Sequence, residues 1–305
     1  MLRRLATLLD TLPTHWRARR VVRGPAARSR SGIRFVDLGN TWVRLREAGG
    51  DGPSLVFAAD PPVPLELYDG LIAQLSDRYR ITVLELPGFG CALPRIGYRF
   101  SLGAACSSLR QVLQPLPHGP HILVMPCVTG YVGLALARAH PELVRALILP
   151  QTPSWSEAQR WLQRRDRRGL LRTPVLGQVA LALLRRRRAR DWYASALGDR
   201  SRIDAFAAAT LAHFDQGGCF CLASAFQDFL RDDHGLLGAV AHPALILAGT
   251  ADPSHRDTDF AATRTLAPQA RLVALGHVGH FPELEDPVRF AAELNAFFLT
   301  LERRP

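Results

Sequence analysis

The chain has 305 residues, 48% of them hydrophobic and 21% charged, with a formal net charge of +11. That supply of apolar residues can bury the core of one large α/β domain, and it excludes a disordered, fibrous or disulfide-stapled protein. No run of about eighteen uncharged apolar residues occurs, and Asp10 interrupts the N-terminal stretch from Leu5 to Leu12, so neither a signal peptide nor a membrane span is expected.

Five cysteines, of which only Cys219 and Cys221 lie close, make neither a disulfide framework nor a structural zinc site, and fit a reducing cytoplasm. All 38 basic residues are arginine, and they cluster. Residues 1–31 hold eight against one acid (+7) and residues 157–190 hold eleven against two acids (+9), which leaves −5 for the remainder. Compositional bias explains the choice of arginine but not its clustering, which suits an acidic partner or anionic surface. No aromatic platform is interleaved with the arginines, so nucleic acid is not expected. No metal, nucleotide or nicotinamide motif is present, and no cofactor is expected.

In chain order, Leu2, Leu5, Leu8, Leu9 and Leu12 predict a short amphipathic helix ending before Pro13, followed by an Arg/Pro/Gly/Ser-rich linker. This basic N-terminal arm, residues 1–31, reads as a solvated extension packed on the domain, with docking to a membrane surface or carrier protein as the alternative. From Ile33 to Ala48 apolar and polar residues alternate around Gly39-Asn40, a β-hairpin at a sheet edge. Continuous apolar strands then alternate with helical patterns: Ser54–Ala58, a helix over Leu65–Leu75, Ile81–Leu86, a helix over Leu102–Leu113, Ile122–Met125, a helix over Gly130–Ala139, and Ala146–Pro150. Strands apolar on both faces and separated by helices imply a doubly wound, mostly parallel sheet. Residues 154–238 show no strand-like run and four helical ones: Ser156–Arg165, Val175–Arg188, Asp204–Phe214 and Phe220–Leu230. Strands return at Ala244–Ala248 and Arg271–Leu275, before a closing helix over Pro287–Leu301. The expected organisation is an α/β core over 32–153 and 239–305 with a helical cap over 154–238, placed where such sheets bind ligands.

One stretch organises the chemistry. His121 to Ala137 reads as buried strand, sharp break at Pro126-Cys127 and packed helix, which lifts Cys127 to the apex beside a helix N-terminus. Asp252 follows the strand ending at Ala248, and His280 lies in the loop before the last helix. All three belong at the carboxyl edge of the sheet. Nucleophile, imidazole and orienting carboxylate are what acyl transfer needs.

With these residues in view, positions 33–301 resemble the α/β-hydrolase superfamily, in the branch with a helical cap. The resemblance rests on the strand order, the nucleophile–acid–histidine order, Leu84-Glu85-Leu86-Pro87-Gly88-Phe89-Gly90, Ala139-His140-Pro141-Glu142-Leu143-Val144 and Gly279-His280-Phe281-Pro282. It implies an eight-stranded sheet and an elbow of Gly-x-Ser-x-Gly type. Here that elbow is Met125-Pro126-Cys127-Val128-Thr129, with cysteine for serine and neither glycine. The usual His-Gly that frames the oxyanion hole is replaced by Ala58-Ala59-Asp60-Pro61-Pro62. By position, the backbone N–H groups of Val128 and of Ala59 or Asp60 are the expected oxyanion donors, with the Asp60 carboxyl turned away or protonated.

A cysteine so placed is expected to have a pKa well below the free value of about 8.5. The resulting expectation is a Cys-His-Asp thioesterase, esterase or acyltransferase acting on an apolar acyl group. The substrate would be borne on an acidic acyl carrier protein or coenzyme A, met by the arginine-rich arm and cap. A lyase or isomerase without an acyl-enzyme, and a non-catalytic binding protein with a degenerate elbow, are the alternatives on the same fold. Of the lesser residues, Trp155, Trp161, Trp192, Tyr193 and Phe214 are expected in the core of the insertion, with one or two lining an acyl pocket. His277 is expected in a solvated loop, and Glu285 and Asp286 at the start of the last helix.

Overall fold

Alternating apolar runs, too short for helices and rich in Val, Ile and Leu, build one eight-stranded sheet. A computed structural model describes residues 1–302; residues 303–305 of the expected 239–305 core segment lie outside the described residues. The strands are β1 (Ile33–Asp37), β2 (Trp42–Gly49), β3 (Ser54–Ala59), β4 (Arg80–Glu85), β5 (His121–Val124), β6 (Val144–Pro150), β7 (Ala244–Gly249) and β8 (Arg271–Leu275). Their spatial order is β1-β2-β4-β3-β5-β6-β7-β8. Two pairings in this sheet are antiparallel: the N-terminal hairpin, with Ile33 opposite Arg46 and Asp37 opposite Trp42, and β2 with β4. The other pairings are parallel, which requires the helical crossovers that cover both faces.

On one face α3 (Leu102–Leu113) and α4 (Gly130–Ala139) pack over Leu123, Leu147 and Ile246. On the other, α2 (Asp69–Leu75) and α9 (Pro287–Glu302) cover Leu55, Phe57, Ile122 and Leu245. Leu65–Tyr68, expected as part of one helix, is a separate 3-10 turn leading into α2.

The N-terminal arm differs from expectation in two ways. The helix does not stop before Pro13: α1 runs from Leu2 to Arg23 with Pro13 inside it. Pro13 is exposed, so the Leu9 carbonyl it cannot pair faces the solvent side. The hydroxyl of Thr14 donates to the Pro94 carbonyl at 2.7 Å and ties the helix to the core. The face that packs is also the small-residue face, Ala6, Thr11, Thr14, Ala18, Val21 and Val22, and the leucines point outward.

Between β6 and β7 lie four helices, α5 (Trp155–Arg165), α6 (Leu176–Ala196), α7 (Ile203–Asp215) and α8 (Leu222–Gln227). This block also contains a two-residue strand that the sequence pattern did not announce: Cys219–Phe220 pairs with Phe89–Gly90 of the core. Two residues are too few to show a period, and only the partner strand makes them a ladder. A buried ionic cluster reinforces the junction. Arg44 on β2, fully buried, meets Glu85 at 3.0 Å and Glu66 at 2.5 Å, and His213 of α7 reaches Glu66 at 2.7 Å. Removing one member would leave an uncompensated buried charge, a loss of about 3–5 kcal/mol.

Candidate active site

The turn after β5 makes the site. Pro126 is extended, Cys127 takes a left-handed φ of 48°, and a 3-10 turn over Cys127–Thr129 feeds directly into α4. A β-carbon residue at such a φ is held there by its surroundings. The room normally left by elbow glycines is found elsewhere. A Cβ on Gly130 would stand 2.5 Å from the Thr152 side chain, and one on Gly133 would stand 2.9 Å from Met125 Cγ. Met125 is accommodated because the helix beneath it carries glycine at 133. Thr129 is buried, and its hydroxyl donates to the Pro126 carbonyl at 2.5 Å.

His280 is completely buried, with a carboxylate on each ring nitrogen. Nδ1 lies 2.7 Å from Asp252 Oδ2, and Nε2 lies 3.2 Å from Asp60 Oδ2. Asp252 is itself held: Gln151 Nε2 donates to Oδ2 at 2.7 Å and the Ser254 backbone N–H to Oδ1 at 2.7 Å. The loop carrying His280 is clamped by the end of α6, where its backbone N–H donates to the Ala196 carbonyl at 2.9 Å. Glu285, expected only to begin the last helix, accepts from the backbone of Gly198, Gly279 and Phe281 and so fastens that loop. Gly279 is obligatory, since a Cβ there would stand 2.3 Å from Gly198 N.

Charge separates the groups. Burial would raise Asp252, but the His280 imidazole overrides it and holds the acid at about 2. Burial alone would lower His280; the Asp252 carboxylate, with Cys127 and Asp60 beyond it, holds the ring well above its ordinary value. Burial pushes Asp60 up despite its contact with His280. One proton therefore sits between Asp60 and Nε2, and both groups bind it more tightly than in water. Burial and then the Asp60 carboxylate push the Cys127 thiol up, against the imidazole and the Val128 N–H that favour its charged form. This corrects the expectation of a thiol well below 8.5: the helix terminus and the histidine are both present, but a fully buried sulfur facing a carboxylate is pushed the other way.

Val128 and Asp60, two of the residues expected to offer backbone N–H groups to an oxyanion, line a cavity with Cys127; the third, Ala59, ends β3 with its methyl group in the apolar core. The Asp60 carboxyl is not turned away; it is aimed at the imidazole.

His255 was missed by sequence reading, because a lone histidine in the short turn after Asp252 carries no periodic signal. It is buried and lies between Trp161, at 5.5 Å and 6° between planes, and His280, at 5.2 Å and 22°. Burial and the neighbouring His280 push it down to about 3, so it is neutral. Its Nδ1 pairs with Thr258 and its Nε2 has no partner. Donor atoms of Cys127, His255 and His280 all lie within 4.8 Å of one another, a soft donor set that suits a thiophilic divalent cation.

The cavity, about 520 Å³, lies between the sheet edge and the helical block. Phe100, Phe226, Phe229 and Leu230 supply apolar wall, and five arginines, Arg164, Arg165, Arg167, Arg168 and Arg188, share the lining. Of the aromatic residues expected in the insertion, Trp161 and Trp192 line the cavity, and Trp192 meets the His280 ring edge-on at 5.0 Å. His277 is exposed in its loop, as expected.

Known proteins place this geometry in context. The family described as alpha/beta hydrolase fold matches residues 64–287. The pimeloyl-[acyl-carrier protein] methyl ester esterase of Nitrosomonas europaea is 24% identical over 265 residues, covering 82% of this chain and 97% of that protein. The magnesium-chelatase 30 kDa subunit of Rhodobacter capsulatus is 30% identical over 130 residues, 43% of this chain and 42% of its own length. Among solved structures, epoxide hydrolase A of Mycobacterium thermoresistibile superposes with a TM-score of 0.73 at 19% identity, covering 88% of this chain and 98% of that one. A haloalkane dehalogenase loop variant from Bradyrhizobium elkanii gives 0.67 at 18% identity, covering 88% and 97%. At these identities the solved structures speak for the fold alone.

Proposed function

The chain belongs to the α/β-hydrolase fold family, and we propose that within it this protein cleaves or transfers the acyl group of an apolar ester or thioester through Cys127, His280 and Asp252. The observation that carries this reading is the convergence of three separate loops. A cysteine at a left-handed elbow lines a cavity with apolar walls, and behind it, with donor atoms within 4.8 Å, stands an imidazole bonded to an ionised carboxylate at 2.7 Å.

In the proposed cycle, the proton shared with Nε2 passes to Asp60, and the freed His280 Nε2 takes the thiol proton as Sγ attacks the carbonyl carbon. The Val128 N–H meets the developing oxyanion. Collapse breaks the bond to the alcohol or thiol, which leaves with the proton from the imidazolium, and the acyl group stays on sulfur. Water, or another acceptor, then gives its proton to His280 and attacks the thioester, releasing the acyl product and restoring the thiol. Asp252 orients the ring and stabilises its cation.

The five cavity arginines support a substrate with phosphates at one end, such as an acyl group on the phosphopantetheine arm of an acidic carrier protein or on coenzyme A. The name of the Nitrosomonas relative, an esterase of a carrier-bound acyl ester, points the same way.

A second reading has its own observation. Asp60 sharing the Nε2 proton equips the pocket for acid–base chemistry, a lyase or isomerase step with no acyl-enzyme. Intact-mass spectrometry with a panel of acyl thioesters and methyl esters separates the two. An acyl mass on the native protein, absent from Cys127→Ala, is the expected result. Equal substrate consumption by native protein and Cys127→Ala, with no adduct on either, would sink the acyl-enzyme reading.

A further inference from the structure

We propose that the outward face of α1, continued by α6, is a docking surface for an anionic lipid bilayer. Soluble proteins scatter their exposed large apolar residues; here they are gathered. Of the fifteen such residues among the described ones, seven lie between Met1 and Trp16 and four on α6. On α1, Leu2, Leu5, Leu9, Leu12 and Trp16 follow the spacing of one helical face and are 41–77% exposed. The small-residue face of the same helix is what packs on the core. The leucine stripe is thus turned away from the protein along about 21 Å of helix. Leu176, Val179 and Leu183 repeat the spacing on α6. Leu9 and Val179 line one shared surface pocket, so the two stripes are continuous.

Charge selects the occupant. Arg3 and Arg4 lie exposed at one end of α1 and Arg19, Arg20 and Arg23 at the other. The helix's one acid, Asp10, is engaged inward with Ser224 Oγ at 2.7 Å. Leucines, then a tryptophan, then arginines with no exposed acid form the pattern of a helix lying in a membrane interface. Its apolar side enters the acyl boundary, the indole sits at headgroup depth and the guanidinium groups pair with lipid phosphates. A second copy of the chain would bring arginine clusters against arginine clusters. An acidic protein would satisfy the arginines and leave the leucine stripe uncovered. No helix among the described residues is long and apolar enough to cross a membrane, so the contact is with the surface. Leu181 of α6 lines both the α1–α6 pocket and the large cavity. The docking face therefore stands one helix away from the candidate active site, placed to receive an apolar substrate from the bilayer.

The test is sedimentation of the full chain with vesicles of phosphatidylcholine, alone and mixed with phosphatidylglycerol, at low and high salt. Binding to the mixed vesicles is expected to fall by about tenfold or more in Leu5→Glu/Leu9→Glu, and separately in Arg20→Glu/Arg23→Glu. Circular dichroism and Tm unchanged in the same proteins establish that they are folded. Because these residues point away from the core, the arginine pair keeps the question open to decision if the leucine pair misfolds. Three results would overturn the proposal: no sedimentation with either vesicle, equal binding to both, or a dimer in light scattering that the leucine variants abolish. So would salt-sensitive binding to an acidic acyl carrier protein in the absence of vesicle binding. None of these readouts depends on Cys127.

Discussion

Two carboxylates approach one imidazole from opposite sides, and they are held in opposite ways. Asp252 follows β7 and accepts hydrogen bonds from Gln151 and Ser254 as well as from His280, so its charge is compensated and its acid stays at about 2. Asp60 follows β3, and the side-chain contact that opposes its burial is the one to His280, so its pKa is raised. Depth of burial is similar for the two; the number of donors around each differs. The lesson is that hydrogen bonds and charge favouring the ionised form, more than depth, separate a firmly ionised acid from one whose pKa burial raises.

Asp252→Asn breaks the comparison on its stronger side. Loss of the orienting charge is expected to lower kcat/KM for ester hydrolysis by about 10²–10⁴, with the imidazole no longer held above its ordinary range. A pH–rate profile checks both.

Zinc probes the other side of the ring, because Nδ1 is committed to Asp252 and only Nε2 can join Cys127 and His255. Inhibition by Zn²⁺, reversed by chelator, is expected, and His255→Ala should weaken it by at least about tenfold. Undiminished zinc inhibition in that variant would remove His255 from the set.

Asp60→Asn sharpens the contrast by moving in the opposite sense to Asp252→Asn. The Asp60 carboxylate raises the Cys127 thiol, so its removal should lower that pKa and speed iodoacetamide alkylation at neutral pH about several-fold. Slower alkylation would mean that Asp60 activates the thiol instead of restraining it.

A last effect, on stability and not on catalysis, concerns Glu283, on the Asp60 side of the site. It is fully buried with neither carboxyl oxygen partnered, and burial holds it at about 8 against an ordinary 4.5. The folded protein keeps this proton between pH 4.5 and 8 while the unfolded chain loses it, so stability falls as pH rises through that window. Glu283→Gln should raise the unfolding free energy above the parent's by an amount that grows across the window to about a few kcal/mol, and leave it unchanged near pH 4, as denaturant unfolding at each pH checks. A constant difference at every pH would rule out titration as the cause.

Much of this was legible without coordinates. The doubly wound sheet was readable because each strand is a continuous apolar run bounded by turn residues, and both periods, two and 3.6, are local. Cys127, Asp252 and His280 could be assigned to one sheet edge because each follows a strand in a parallel array, and parallel strands deliver their carboxyl ends to the same side. His255 was hidden because a lone histidine in a turn has no period, and only folding lays it against His280 and Trp161. The Asp60 carboxyl was legible as a difficulty and not as a contact, since side-chain direction after a strand end depends on the loop that follows. On α1 the leucine pattern was clear, but its partner was not. A hydrophobic stripe reports that a face seeks an apolar medium and carries nothing about which medium.

What the sequence determined by itself is therefore what local periodicity encodes: the elements, their order, the parallel sheet and the chain positions of three reactive groups. The tertiary structure decided the protonation of those groups and the direction of α1. Both depend on what stands opposite a residue in space, the Asp60 carboxylate facing a buried thiol in one case and an Ala/Thr face fitting the core ahead of a leucine face in the other, and no pattern along the chain encodes that.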